Sequence, residues 1–471
     1  MNSSISRRKF LGQASCAAVG TSTFFNTLLN LCMTNTAAAK PAFFNNDYKA
    51  LVCVLFAGGM DSFNMLVPRG VPEYFEYHLA RTSLSLPIES LLPIKQKTTN
   101  LSRNFGLHPS LSGVQNLFNE ENLAFITNVG TLHEPVNLTE YKNGTKKLPL
   151  GLFSHSDQIM QWQTSIPRDR QAVGFGGRLA DILSETCFNS NISMNISLGG
   201  RNFFQSGKTT SEYAIRNSGT GSIGIDGYMG SGLIDALKTS AIDNILDAEY
   251  RNLFRCTYAD VIRDSQDNHE EFSAAIGMVN DGTITSLNPS FSTLFSPTGF
   301  SANLQMIAKT IAARNKLNMN RQIFYLVFGG WDHHDEVLNN QLRMLKIVND
   351  GLVEFYDAIQ QMGVEKDVTL FTISDFARTL TSNGNGSDHA WGGNHLVMGG
   401  AVKGKEIYGT FPDLAIGSNL DVGRGRLIPT TSTDQYFLEL AKWFGVSSSD
   451  LGMILPNIGN FSGLPNLEFM E

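Results

Sequence analysis

Three stretches of this chain share one pattern, an apolar, β-prone run followed by small residues and an aspartate. Ala50 to Phe56 leads into Ala57-Gly58-Gly59-Met60-Asp61, Ile323 to Phe328 into Gly329-Gly330-Trp331-Asp332, and Val368 to Ile373 into Ser374-Asp375. Apolar runs without polar alternation predict strands buried on both faces, as parallel sheets have. Parallel strands need crossovers, and Val337 to Met362 offers one. There Leu338, Leu342, Leu345, Val348, Leu352, Phe355 and Ile359 recur at three- and four-residue steps. The expected fold class is α/β, doubly wound about a mostly parallel central sheet. The carboxyl ends of its strands then share one edge, where ligands bind.

Leu123 to Val129, Ile192 to Leu198 and the short His395 to Met398 read as further strands, and Thr433 to Phe444 as a closing helix. The region from Gly199 to Gly232 is rich in Gly, Ser, Thr and Asn, which predicts a surface excursion. Helical periodicity follows over Leu233 to Leu253, Glu270 to Val279 and Leu304 to Asn315. The simplest organisation is one α/β domain over 40–471 with a cap inserted at about 199–300. A chain of 471 residues, 42% hydrophobic, has enough material for such a core.

The N-terminus has a different character. Ser6-Arg7-Arg8-Lys9-Phe10-Leu11, then a mostly apolar stretch from Ala14 to Met33 and small residues at Ala37 and Ala39, predicts a twin-arginine signal over 1–39. Thr21, Asn26 and Asn30 interrupt the apolar stretch and weigh against a spanning helix. The export machinery is thus one expected partner, and a periplasmic or otherwise exported location is expected. Removing three basic residues leaves the remainder more acidic than the full chain's net charge of −7, which argues against nucleic acid as a partner. Cys187 and Cys256 are a candidate disulfide in an oxidising compartment.

Chemistry concentrates at the strand ends. Asp332 and His334 stand two apart and leave extended backbone on one face. With Asp61, Asp375, Asp388 and His389 they form a candidate metal set, and His395 either completes a second metal or is a core histidine. Carboxylates gathered on one rim repel each other without a cation. Mixed imidazole and carboxylate donors favour Zn²⁺ or Mn²⁺, and an all-oxygen subset would take Mg²⁺ or Ca²⁺. The chain has no P-loop, no Gly-x-Gly-x-x-Gly after a strand, no Cys-x-x-Cys and no His-Glu-x-x-His.

Gly-Gly-x-Asp near the N-terminus, Gly-Gly-Trp-Asp-x-His, Ser-Asp-Phe-Ala-Arg-Thr and Ser-Asp-His-Ala-Trp-Gly follow in order behind the twin-arginine pattern. In this the chain resembles the exported bacterial family of unknown function numbered fifteen hundred and one, which is similar in fold to alkaline phosphatases and sulfatases. The resemblance covers roughly 50–445. It implies metals at the carboxyl edge of the sheet, held by Asp61, Asp332, His334, Asp375, Asp388 and His389, and a hydroxyl nucleophile attacking a phosphate or sulfate ester. The chain departs from the superfamily at Asp375-Phe376, where an Asp-His pair is usual. Either His389 supplies that imidazole or the second metal site is incomplete.

Ser154, at the predicted helix start in Phe153-Ser154-His155-Ser156-Asp157, is the first candidate nucleophile, because a helix N-terminus and a nearby cation stabilise an alkoxide. Its alternative role is a plain N-cap. Ser62 is the second candidate, and His155 a proton carrier or ligand. Arg378 suits an anion clamp, or a partner for a carboxylate. The resulting expectation is an exported metal-dependent hydrolase of anionic esters. Its rival is a non-catalytic exported binding or assembly protein, partner unknown, that keeps the fold and a structural metal.

Overall fold

Strand β1 (Lys49–Ala57) shows why the three runs are apolar throughout. Its even-numbered side chains, Ala50, Val52, Val54 and Phe56, enter one core, and its odd-numbered ones, Leu51, Cys53 and Leu55, enter another on the opposite face. A strand with period-two geometry and a core on each side has no solvent-facing position. The computed structural model describes residues 47–98, 104–170, 172–184, 192–248, 253–280 and 291–471. The expected signal over 1–39 and Cys187 of the candidate disulfide lie outside these.

After β1 come three short strands, β2 (Leu66–Pro68), β3 (Leu92–Ile94) and β4 (Phe105–Leu107), which form a small antiparallel sheet of their own. The main sheet resumes with β5 (Leu123–Gly130), β6 (Asn195–Ser197), β7 (Tyr213–Ala214) and β8 (Arg321–Gly329). It is completed by β9 (Val368–Ser374), β10 (Gly393–Met398), β11 (Ile407–Tyr408) and β12 (Thr431–Ser432). Its order is β11-β5-β10-β9-β1-β8-β6-β7, with β12 also on β5. β1 pairs in parallel with β8 and β9 on its two sides. Among the described strands of this sheet only β10 runs against its neighbours, antiparallel to both β5 and β9. The mostly parallel, doubly wound α/β architecture is therefore present.

Helices cover both faces. Ser112–Asn119, Gly299–Ala312 and Val337–Gln361 bury their apolar sides in the even-side core. His155–Thr164, Phe175–Leu183 and Thr433–Phe444 do so on the other. The crossover helix Val337–Gln361 buries Leu345, Val348, Leu352, Phe355 and Ile359 against the sheet. Each such side chain contributes about 1.5–3 kcal/mol of transfer free energy. Truncating the central one, Leu352→Ala, should cost roughly 2–5 kcal/mol. No described helix is long and apolar enough to cross a membrane.

The reversed strand positions the site. Because β10 runs opposite to β9, its amino end lies at the carboxyl edge of its neighbours. The loop before it, holding Asp388 and His389, meets the ends of β1, β8 and β9 there. Asp388 bonds to His334 after β8 and Asn383 after β9, and His389 meets His334.

Candidate metal centre

The glycine pair ending β1 packs against the loop ending β8. Gly58 has φ +116°, and a Cβ there would stand 2.5 Å from the backbone nitrogen of Asp332. Only glycine allows this approach, which brings the two Gly-Gly turns into contact. Arg378, fully buried, locks the junction. Its Nε donates to the Gly59 carbonyl at 2.7 Å and its Nη1 to the Ser387 carbonyl at 3.1 Å. Nη2 donates to the Gly58 and Trp331 carbonyls and to the Asp332 carboxylate. With its donors committed inward, Arg378 organises the rim and is not placed as an anion clamp.

Above this junction four side chains converge. His389 Nε2 lies 3.1 Å from His155 Nε2 and 3.0 Å from His334 Nε2. Asp332 Oδ1 is 3.1 Å from His334 Nε2, 3.5 Å from His155 Nε2 and 3.6 Å from His389 Nε2. Zinc–nitrogen bonds of about 2.0 Å in a tetrahedron imply donor separations of about 3.3 Å, in the middle of this range. His155, Asp332 and His389 satisfy the geometry of a metal-holding group by themselves.

The proton inventory makes the convergence more telling. His389 Nδ1 faces the Phe153 carbonyl at 2.8 Å, which can only accept, so Nδ1 donates. His334 Nδ1 donates to Asp388 Oδ1 at 3.1 Å, and His155 Nδ1 to Asp375 Oδ2 at 2.6 Å. In a neutral imidazole the Nε2 then carries a lone pair, and those of His155 and His334 each face His389 Nε2 and the Asp332 carboxylate oxygen. Imidazoles whose outer nitrogen is tied to a carboxylate or backbone carbonyl are the arrangement metal-ligating histidines adopt. The donor set fits a divalent cation.

Local electrostatics agree. Burial alone would raise the Asp332 carboxyl, but the Arg378 guanidinium bonded to it, with His334 and His155 beside it, holds it below the usual carboxylate range. Burial lowers His389, keeping its imidazole neutral. Burial likewise would raise Asp388, yet Asn383, Arg424 and His334 hold it down. Asp375 differs: burial pushes it up, and its bonds to His155 and Gly58 only partly offset this. The four converging side chains are 26% to 48% exposed, so the centre opens to solvent.

The structure thus sorts the sequence-derived candidates. Asp332, His334 and His389 meet at the centre. Asp375 and Asp388 stand one step behind it, their oxygens occupied by His155 and Gly58, and by His334, Asn383 and Arg424. Asp61 is elsewhere: buried, it forms an ion pair with Arg81, so it is not placed as a rim ligand. His395 is a core residue, tilted against Trp162 and stacked on Tyr436, with burial lowering its pKa to about 3. Ser62 is buried, its Oγ accepting from Asn394 N at 2.8 Å, so it is not placed as a nucleophile. Ser154 stands half-buried at the N-cap of its helix but makes no capping bond, and its Oγ lies 3.2 Å from that of Ser156. His155 is the member of the candidate centre that the sequence underweighted. Its only signal was a His at a helix start, held here by Phe153 in the left-handed region at φ +69°.

Residues 262–430 match a family model described as a protein of unknown function (DUF1501). That span holds Asp332, His334 and His389 but not His155. No curated protein matches the chain. Among solved structures the chain is similar to Ps i-CgsB in complex with k-i-k-neocarrahexaose, at 9% identity over 88% of this chain and 77% of that one, with a TM-score of 0.34. It is also similar to the lipoteichoic acid synthase LtaP from Listeria monocytogenes, at 8% identity over 90% and 78%, with a TM-score of 0.33.

Proposed function

We propose that this protein is an exported, metal-dependent hydrolase of phosphate or sulfate esters, with zinc or manganese held by His155, Asp332, His334 and His389. The observation that carries this reading is the convergence of His155 Nε2, His334 Nε2 and the Asp332 carboxylate on His389 Nε2, with separations of 3.0–3.6 Å. Imidazole-rich donors favour Zn²⁺ or Mn²⁺ over Mg²⁺ or Ca²⁺. A bound cation supplies Lewis-acid polarisation of an ester oxygen. The remaining work falls to the chain. Asp375, the Phe153 carbonyl and Asp388 hold the tautomers of His155, His389 and His334. Arg424, exposed and paired with Asp388, would meet an anionic substrate in the role first expected of Arg378. Ser154, next to His155 and at the N-terminus of its helix, is the proposed nucleophile.

One observation favours a second reading. His334 Nε2, 3.1 Å from Asp332 and 3.0 Å from His389, adds a fourth protein donor to His155, Asp332 and His389. Structural zinc sites use four protein ligands, whereas catalytic ones keep a position open. On that reading the chain is an exported binding or assembly protein with a structural metal. Metal analysis of protein purified without added ions, with nitrophenyl phosphate and sulfate assays of wild type, His389→Ala and Ser154→Ala, separates the two. The hydrolase reading expects about one ion per chain, and activity lost in both variants and on chelation. Metal retained with no hydrolysis by wild type would establish the second reading. Full activity of metal-free protein would sink both.

A further inference from the structure

Between β7 and β8 the helices Leu233–Leu246 and Leu253–Asn280 pack on each other. Each also turns an apolar stripe outward. Ile234, Leu237 and Ile245 recur at helical spacing on the first, and Phe254, Tyr258 and Val261 at i, i+4 and i+7 on the second. Their exposures run from 57% for Val261 to 84% for Phe254. A groove of about 590 Å³ runs between the helices, lined by Ile225, Ile242, Leu246, Ala259 and Ile262 as well as stripe residues. Single exposed aliphatic residues are ordinary on any surface; a continuous stripe flanking an apolar groove marks a binding face.

Among the described residues, Arg255 is the one charged side chain lining this groove, but the two helices that form it are acidic as a whole. The described residues of 226–280 include nine carboxylates against Lys238, Arg255 and Arg263. Lys238 and Arg263 already pair with Asp226 and Asp247. Asp260, Asp264, Asp267 and Glu270, all exposed, line up at helical spacing one position off the Val261 stripe. The anionic line therefore flanks the apolar stripe, meeting it where Asp264 follows Val261 by one turn.

We infer that this hairpin docks a basic amphipathic helix of a partner protein. The partner's apolar face would fill the groove, and its lysines or arginines would meet the line from Asp260 to Glu270. Charge decides among occupants. A second copy of this hairpin would oppose acid to acid, and an anionic bilayer surface would meet the same repulsion. The inference is independent of the metal centre.

The test is fluorescence anisotropy of the full chain with a labelled peptide of leucines and lysines at helical spacing, and a leucine–glutamate peptide as control. Binding of the lysine peptide alone is expected, weakening as salt rises. Replacing Phe254, Tyr258 and Val261 by serine should weaken it by about a hundredfold, and Asp264→Lys with Asp267→Lys by about tenfold or more. All five positions are exposed, so melting temperature and metal content should stay at wild-type values and show that the variants fold. No binding, or equal binding of the glutamate peptide, overturns the inference. So does a concentration-dependent dimer that the serine variant abolishes, or sedimentation with phosphatidylcholine vesicles lost in that variant. The first would identify a second copy as the occupant, and the second a lipid surface.

Discussion

Asp375→Asn preserves side-chain shape and removes one acceptor, which makes it a direct probe of how His155 is held. Asp375 Oδ1 accepts from the Gly58 N–H at 3.0 Å and Oδ2 from His155 Nδ1 at 2.6 Å. An amide has one carbonyl oxygen for these two donors. If its NH₂ turns toward Gly58, a buried N–H loses its acceptor at a cost of about 1–3 kcal/mol. If it turns toward His155, Nδ1 must accept, and the imidazole proton moves to Nε2, where it points at His389 and Asp332. Either way the centre is impaired. Loss of such an outer partner typically lowers metal affinity about 10–100-fold, or roughly 1.4–2.8 kcal/mol. Competition with a chromophoric zinc chelator measures this, and the melting temperature of metal-free protein reports the Gly58 term separately. Zinc affinity within about twofold of wild type, at unchanged metal-free stability, would refute the tautomer argument.

Three further outcomes follow from described contacts. Arg378→Met strips the carbonyls of Gly58, Gly59 and Ser387 of their buried donor and leaves Asp332 without its guanidinium partner. Roughly 3–5 kcal/mol should be lost in urea unfolding, with metal binding weakened as well. Arg81→Met should cost a similar ~3–5 kcal/mol by leaving Asp61 charged and buried, yet keep the metal stoichiometry, because Asp61 is outside the centre. A halved metal content would contradict that placement. His395 titrates near 6.5 when unfolded and at about 3 when buried. The unfolded chain therefore binds the extra proton between those values. Its contribution to stability is complete above 6.5 and is lost as pH falls toward 3. Thermal unfolding across this window should show a shallower acid slope for His395→Phe than for wild type.

The sheet was legible because its signal is local. An unbroken apolar run such as Val368 to Ile373 has one comfortable environment, between two helical layers. The echo between Gly58-Gly59 and Gly329-Gly330 was equally readable, and the structure gives its reason, since the first turn packs on the backbone after the second. The same symmetry misled the reading of Asp61. It sits where Asp332 does in the repeated pattern, but Arg81 from the helix Val71–Arg81 claims it, and no spacing rule reveals which distant counter-charge will arrive. Asp375 and Asp388 were recognised as belonging to the rim, but whether a carboxylate touches a cation or supports an imidazole depends on about 3 Å of depth, roughly one residue's rise along a strand. His155 lay behind a histidine-at-helix-start pattern that ordinary capping sequences share.

The lone backward strand has a consequence for how the molecule is completed. Among the described residues, β5, with β11 and β12 attached to it, joins the rest of the main sheet through β10 alone. His389 immediately precedes that keystone. A nascent chain that has delivered His155, Asp332 and His334 still lacks its fourth donor, and one flank of its sheet remains undocked. If the centre holds the proposed cation, closing the sheet and completing its donor set are one event, and retention of an ion would report that the chain has been made and threaded past residue 398.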